Sequence, residues 1–450
     1  MRGQYSRRSI GSLVVILVVL TAVPLTAFGQ IELTIDEAVE LGLQNDETYL
    51  IAKEELDRAA GQIREAWAGA LPRLDFQGMY TRNIEIPEVV IAGQSIKFGT
   101  KNNYSLGLTL TQPLYLAGKV SGALKIAKYY RSYAEYKLQQ AENDVIYEIK
   151  RAFFGAKLAA DMVEVYENAI KQAELNLENV QKQFDLGMAA EYDVLRAEVE
   201  LANLKPLLIK SRNDSGIALI VLLNRLNVPG DQEVILKYEF NPADLYDQVN
   251  LQTGMFHARN SNPVILQQDY LVKSYDKAIG IRRADRLPQL YFMSSYDYSG
   301  QSDEFRPPSS AWTDSWSASL ILSFPIFEGR AISGRVMQAK ADYNQSRYLA
   351  RQVRENVLLS VKAAYGSWQE AVASLKTQEK TVEQAEEGLR IANLRYNSGV
   401  GTQLEVLSAQ TANTQAKVNH INAVYDYELA VAEYQRAVGL KQDYEGESDE

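Results

Sequence analysis

Two histidines, His257 and His420, and no cysteine are all that this 450-residue chain offers of the residue types that most often ligate transition metals or pair as nucleophile and base. Without thiols there can be no disulfide scaffold, thiolate zinc site, iron–sulfur cluster or lipid-modified N-terminal cysteine. Neither histidine has an acidic neighbour at ligand spacing, and His420 falls near a heptad seam, so both read as structural residues. The sequence contains no Gly-rich phosphate loop and no nucleophile elbow. Asp193 and Glu405 each fall in the first turn of a helical pattern, where an acid stabilises the helix N-terminus whatever else it does. This inventory predicts neither an enzyme nor a resident cofactor or metal. A net charge of −10 also argues against a nucleic-acid partner. One pairing needs an explanation: 27 tyrosines and 12 phenylalanines in a chain whose mean hydropathy is only −0.25.

The elements that carry these residues begin after an export signal. Arg2, Arg7 and Arg8 precede an apolar run over residues 10–23, and Ala27-Phe28-Gly29 supplies a small-x-small site before Gln30. Residues 1–29 therefore read as a cleaved signal peptide, the run being shorter than the roughly 18 residues of a membrane span. No later stretch is long and apolar enough to cross a membrane as a helix, which leaves a soluble exported chain or one inserted as strands.

Internal repetition organises the rest. Leu110-Thr111-Gln112-Pro113-Leu114-Tyr115 returns as Leu322-Ser323-Phe324-Pro325-Ile326-Phe327, 212 residues on. Phe184-Asp185-Leu186-Gly187 meets Tyr396-Asn397-Ser398-Gly399 at the same offset of 212. Further upstream, Leu71-Pro72 and Leu287-Pro288 stand 216 apart. Two repeats of one plan are expected, 30–240 and 241–440, followed by an acidic tail over 441–450. In each, a helical segment (36–71 in the first) ends at Leu-Pro, two strands follow, and a proline precedes a very long helix (118–184). A Gly turn then reverses the chain into another helix, 192–225.

The strands alternate with period two. Leu74, Phe76 and Tyr80, then Tyr104, Leu106, Leu108 and Leu110, interleave with Asp, Gln, Ser, Gly and Thr. In the second repeat Leu290, Phe292, Tyr296 and Tyr298, then Trp316, Leu320 and Leu322, do the same against serines. One face is greasy and aromatic, the other small and polar. Such a sheet could pack on a soluble core, but strands of about ten residues also match a bilayer crossing, with Trp312 and Trp316 as girdle or outer-loop residues. Four strands cannot close a membrane barrel, because open edges are not tolerated in lipid. Three copies would supply about twelve strands, and small inward residues would leave that barrel hollow. A homotrimer around a water-filled pore is the reading this supports.

The helices carry coiled-coil seams. Val163, Tyr166, Ile170, Ala173, Leu177, Val180 and Phe184 keep 3,4 spacing, as do Leu375, Val382, Ala385, Leu389, Ala392 and Tyr396 in the second repeat. At 1.5 Å per residue the long helix measures ~100 Å and its two shorter companions ~54 and ~48 Å, so the short pair stacked end to end matches the long one. Pro206 is expected to kink or briefly break its helix, and residues 227–244 fall outside the pattern as a belt or tail. A soluble coiled-coil bundle has the same periodicity.

The signal peptide, the opening Leu33-Thr34-Ile35-Asp36-Glu37-Ala38-Val39, the paired Leu-Pro and strand-Pro-helix junctions and the two Gly turns together resemble the TolC family of outer-membrane efflux proteins over essentially all of the mature chain. The resemblance implies a mixed α and β channel-tunnel. Four strands per protomer would enter a shared outer-membrane barrel of about twelve, and long helices a shared periplasmic tunnel of about twelve. It implies a homotrimer in outer-membrane lipid, docked on a periplasmic adaptor and an inner-membrane transporter, that passively conducts small molecules or, in type I secretion, proteins. A periplasmic coiled-coil adaptor or structural protein is the reading from a different class.

Residue by residue, the resemblance puts adaptor contacts at Leu186, Gly187, Met188 and Ala189 and at Ser398, Gly399 and Val400, running on to Gly401. It puts the constriction at Asp193, Tyr396, Gly401, Glu405 and Ser408. Gly401 occupies the place of an arginine that helps hold the tunnel shut, so that latch is absent. Glu405 and Ser408 occupy two acidic positions, so a single ring of carboxylates is expected, with a weaker attraction for cations than two rings.

Overall fold

The computed structural model describes residues 31–91, 94–97, 99–228, 234–238, 240 and 249–440. The expected signal peptide and acidic tail lie outside them. In chain order the first half contains β1 (Ile31–Leu33), α1 (Ile35–Asn45), α2 (Glu47–Ala68), β2 (Arg73–Arg82), a hairpin of β3 (Glu88–Ile91) and β4 (Gln94–Lys97), β5 (Asn102–Tyr115), α3 (Lys119–Asp185) and α4 (Glu191–Arg225). The second half contains β6 (Val234–Leu236), α5 (Leu251–Ser261), α6 (Pro263–Ala284), β7 (Gln289–Ser302), β8 (Trp312–Ser323), α7 (Ala331–Asn397) and α8 (Gln403–Val438). The fold is mixed and dominated by helix.

The single helix expected over 36–71 is in fact two. Asp46 adopts an extended backbone (φ −70°, ψ 125°), and its carboxylate accepts from the amides of Thr48 and Tyr49 at 2.8 and 3.4 Å. An aspartate that can cap a new helix competes with continuing the old one. Asn262 does the same between α5 and α6, accepting from the Val264 amide at 3.0 Å.

Four strands form one antiparallel sheet in the order β2-β5-β7-β8. The register aligns Phe76 with Leu108, Tyr296 and Trp316 in one row, and Asp75 with Thr109, Ser295 and Ser317 in the adjacent row. Because side chains alternate faces, this alignment gathers the apolar residues of all four strands on one face and the small polar ones on the other. The apolar face is uncovered, with Phe76 71% and Trp316 80% exposed. At one end of the sheet the Tyr298 and Trp312 rings stack at 4.7 Å, and Tyr104 lies 5.8 Å from Trp312.

Strand gives way to helix at the same point in both halves. Ala117 and Gly118, then Gly329 and Arg330, adopt consecutive left-handed conformations that turn the chain sharply. The helices that follow, α3 and α7, each contain 67 residues. Pro206 does not break α4, which runs through it. One lost N–H bond does not stop a helix packed lengthwise against α3.

Each long helix is flanked by shorter ones end to end. Where α4 ends and α2 begins, Arg225 pairs with Asp46 at 3.5 Å and the Asn45 amide donates to the Leu226 carbonyl at 3.4 Å. Where α8 ends and α6 begins, Asn262 donates to the carbonyls of Ala437 and Val438 at 3.0 and 3.3 Å.

The stretch expected as a belt contributes β6, which pairs in parallel with β1. Beneath it Phe153, Ile149, Ile146 and Leu222 form a buried core with Val39, and Tyr238 bonds Glu428 of α8. This cluster of buried residues lies near the middle of α3.

Candidate functional site

The hairpin tips begin with the physics of ending a long helix. At the first tip the Leu186, Gly187 and Met188 amides donate to the carbonyls of Lys182, Phe184 and Gln183 at 3.2, 2.8 and 2.8 Å. At the second, Ser398, Gly399 and Val400 donate to Leu394, Tyr396 and Arg395, each at 3.0 Å. Gly187 (φ 72°) and Gly399 (φ 75°) take the left-handed conformation that this cap requires. The same turn therefore closes both hairpins, and it thrusts apolar side chains outward: Leu186 and Met188 are each 74% exposed and Val400 69%.

Of the predicted constriction residues, Asp193 of the first hairpin acts on Tyr396 of the second, and Gly401 lies against the Tyr396 backbone. Asp193, in the first turn of α4, accepts from the Ala190 amide at 3.3 Å. Tyr396, near the end of α7, has a buried hydroxyl to which no hydrogen-bond partner points. Burial pushes that phenol above its ordinary value, and the negative charge of Asp193 pushes it further the same way. Glu405, in the first turn of α8, has its amide bound by the Thr402 hydroxyl at 3.3 Å. Ser408 lies one turn along, in a groove of about 460 Å³ between α4 and α8 that also includes Tyr192, Leu195, Val199 and Leu404. Across this groove the Thr411 hydroxyl donates to Glu200 at 3.4 Å.

Gly401 is held by close approach. A Cβ there would lie 2.9 Å from Arg395 Cβ, 2.9 Å from the Tyr396 nitrogen and 3.0 Å from the Arg395 carbonyl carbon. Its amide donates to the Arg395 carbonyl at 3.0 Å.

Reading the sequence missed Arg395. Its guanidinium Nε donates to Glu405 at 3.3 Å, across the turn. The signal was present in the antiparallel hairpin itself, which brings residues five before and five after its midpoint back into contact. Gln403 was also missed: it is 2% exposed at the start of α8, with neither side-chain amide atom satisfied among the described residues. Among the described residues no group of three or more His, Asp or Glu could hold a metal, and His257 packs against the edge of Phe256. None of the tip residues forms a nucleophile–base pair. The arrangement presents charge, apolar contact area and a narrow turn, which suit a passage or a docking end.

Comparison with known proteins is consistent with this geometry. The family model described as outer membrane efflux protein matches residues 38–227 and 256–440. The chain is 23% identical over 411 residues to the alkaline protease secretion protein AprF of Pseudomonas aeruginosa, covering 90% of this chain and 84% of that one. It is 23% identical over 390 residues to the outer membrane protein TolC of Salmonella enteritidis, covering 85% and 77%. Among solved structures, the CmeC outer membrane channel of Campylobacter jejuni superposes with a TM-score of 0.75 at 18% identity, covering 90% of this chain and 85% of that one.

Proposed function

The chain belongs to the outer membrane efflux protein family, and from that premise we propose that it works as a homotrimer closed edge to edge around one pore. The protein is an outer-membrane exit duct, in a family of channels rather than enzymes. The observation that carries the trimer is the sheet: its apolar face is uncovered, and β2 and β8 are its outer strands. Lipid tolerates neither an open edge nor an unpaired backbone, so each β8 needs a neighbour's β2. Three copies make about twelve strands with Ser, Thr and Gly inward.

The helices extend the same count. Each copy offers α3, α7 and two stacked pairs, α4 with α2 and α8 with α6, so three copies line a tunnel of about twelve helical positions. The recurring caps, left-handed junctions and equal long helices support a duplicated plan over 30–240 and 241–440. A signal peptide over 1–29 and an acidic tail over 441–450 complete the proposed organisation.

At the tunnel's free end, Leu186, Gly187, Met188, Ala189, Ser398, Gly399 and Val400 dock a periplasmic adaptor, which couples the duct to an inner-membrane transporter. Asp193, Tyr396, Gly401, Glu405 and Ser408 form the constriction. The duct is passive, and small molecules driven by the transporter leave through it. The name of the Pseudomonas relative favours a second reading, export of a protein by type I secretion.

The test uses the absence of cysteine from the chain. Single cysteines placed in pairs along β2 and β8 should oxidise into covalent trimers in isolated outer membranes, read on a non-reducing gel. A soluble monomer that never cross-links would sink the proposal. Deleting the gene then separates the cargoes: drug accumulation marks efflux, loss of a secreted protein marks secretion.

A further inference from the structure

Arg395 belongs to the last turn of α7 and Glu405 to the first turn of α8, and four contacts bind the arginine to the turn between them and to Glu405. Its carbonyl accepts from two successive amides, Val400 and Gly401, both at 3.0 Å. Its guanidinium donates through Nε to Glu405 at 3.3 Å, and Nη2 lies 3.5 Å from the Val400 carbonyl oxygen. Backbone and side chain of one residue thus hold both limbs of the tip.

Gly401 explains why the positive charge sits before the turn. A Cβ at 401 would press on backbone atoms of Arg395 and Tyr396, which cannot swing aside as a flexible side chain can. No arginine fits there without opening the turn.

The first hairpin differs. Gln183 and Asp193 stand at the positions of Arg395 and Glu405, displaced by the same 212 residues. There the carboxylate turns to the Ala190 amide and faces Tyr396 of the other hairpin. Across these two aligned pairs of positions each chain therefore brings two acids, Asp193 and Glu405, and one arginine, which is committed to Glu405.

We propose that Arg395 sets the charge of the constriction: it neutralises Glu405 within each hairpin, so the mouth carries a ring of ion pairs at this level in place of a bare carboxylate ring. This rests on the reading of the tips as the narrow end of a conducting trimer. It replaces the expectation of a cation-attracting Glu405 ring, and of the two aligned acids it leaves Asp193 as the one that no arginine pairs across its own turn. The pair is half exposed, with side-chain exposures of 52% and 45%, so its contribution to stability is small and its effect is on the field felt by passing ions.

The test is a charge cycle on the full-length trimer in planar bilayers under a KCl gradient, with reversal potential as readout. Arg395→Gln should raise the cation-to-anion permeability ratio at least about threefold, since it removes one positive charge from each of three copies around the ion path. Glu405→Gln should lower it by a similar factor. The double variant should return close to wild type, as should the exchange Arg395→Glu with Glu405→Arg. An unchanged ratio in Arg395→Gln, or a double variant matching Glu405→Gln alone, overturns the proposal and restores the bare ring. If Arg395→Gln does not yield a heat-stable trimer on gels, the exchange variant decides: a ratio close to wild type supports the proposal, and a ratio as low as that of Glu405→Gln overturns it. Wild-type protein that forms no conducting trimer overturns the channel reading itself, a separate failure.

Discussion

The Arg225 guanidinium lies 3.5 Å from the Asp46 carboxylate, which is 4% exposed and already caps α2. One acid thereby ends α1, starts α2 and ties the end of α4 onto both. End-to-end stacking of the short helices depends on this joint, and Asn262 makes its counterpart with Ala437 and Val438.

Replacing Asp46 with alanine removes the cap and leaves Arg225 without this partner. The expected cost is about 1–2 kcal/mol, read from thermal unfolding followed by circular dichroism in detergent. Asp46→Asn keeps a capping oxygen and should lose less than half as much. Equal losses in the two variants would show that the ion pair, not the cap, carries the joint.

Lys150, on α3, donates to Gln435 at 3.3 Å, and burial holds its amine below the ordinary lysine value of 10.5, with Asp36 and Glu428 pulling part of the way back. A base whose folded pKa is depressed destabilises the fold while it is charged in both states, that is, at pH below the folded pKa. The penalty fades as pH rises from the folded pKa to 10.5. Lys150→Met should therefore melt at a higher temperature than wild type at pH 7, and the gap should shrink on raising the pH toward that value. A gap that stays constant with pH would mean the charge is not its cause.

Gly399 and Gly401 should respond differently to substitution. Gly399 needs only a left-handed backbone, so Gly399→Asn should cost less than Gly399→Ala, which loses about 1 kcal/mol. At Gly401 the obstacle is space, and alanine and asparagine should be equally disruptive. Melting temperatures of the four variants, with tip proteolysis as a local readout, check this.

Tyr396→Phe deletes a buried hydroxyl that no group among the described residues satisfies. Stability should stay within about 0.5 kcal/mol of wild type or rise, since an unpaired buried polar group costs more than it contributes. A large loss would reveal a partner supplied by a neighbouring copy.

Much of the architecture was legible because local spacing reports it. Period two in 104–111 and the 3,4 steps from Val163 to Phe184 depend only on which face each side chain occupies. Leu-Pro stops and Gly turns mark where those patterns must end. The tip residues were legible only as positions on a turn, through resemblance to a family, and their neighbours were not.

What the amino-acid sequence determined by itself was the order of the long helices and of the four strands of the main sheet, their approximate lengths and the faces that seek burial or lipid. Tertiary structure decided everything that depends on segments meeting from afar. The three-residue strands β1 and β6 have no periodicity to read and exist only because residues some 200 apart pair above a shared core. That Arg225 of α4 would arrive beside Asp46 was likewise decided by the fold. The partner of Glu405 was decided in the same way, by a turn tight enough to exclude a side chain at 401 and bring Arg395 within 3.3 Å. Periodicity encodes direction along one element, while charge pairing depends on distance between two, and only the folded chain supplies distances.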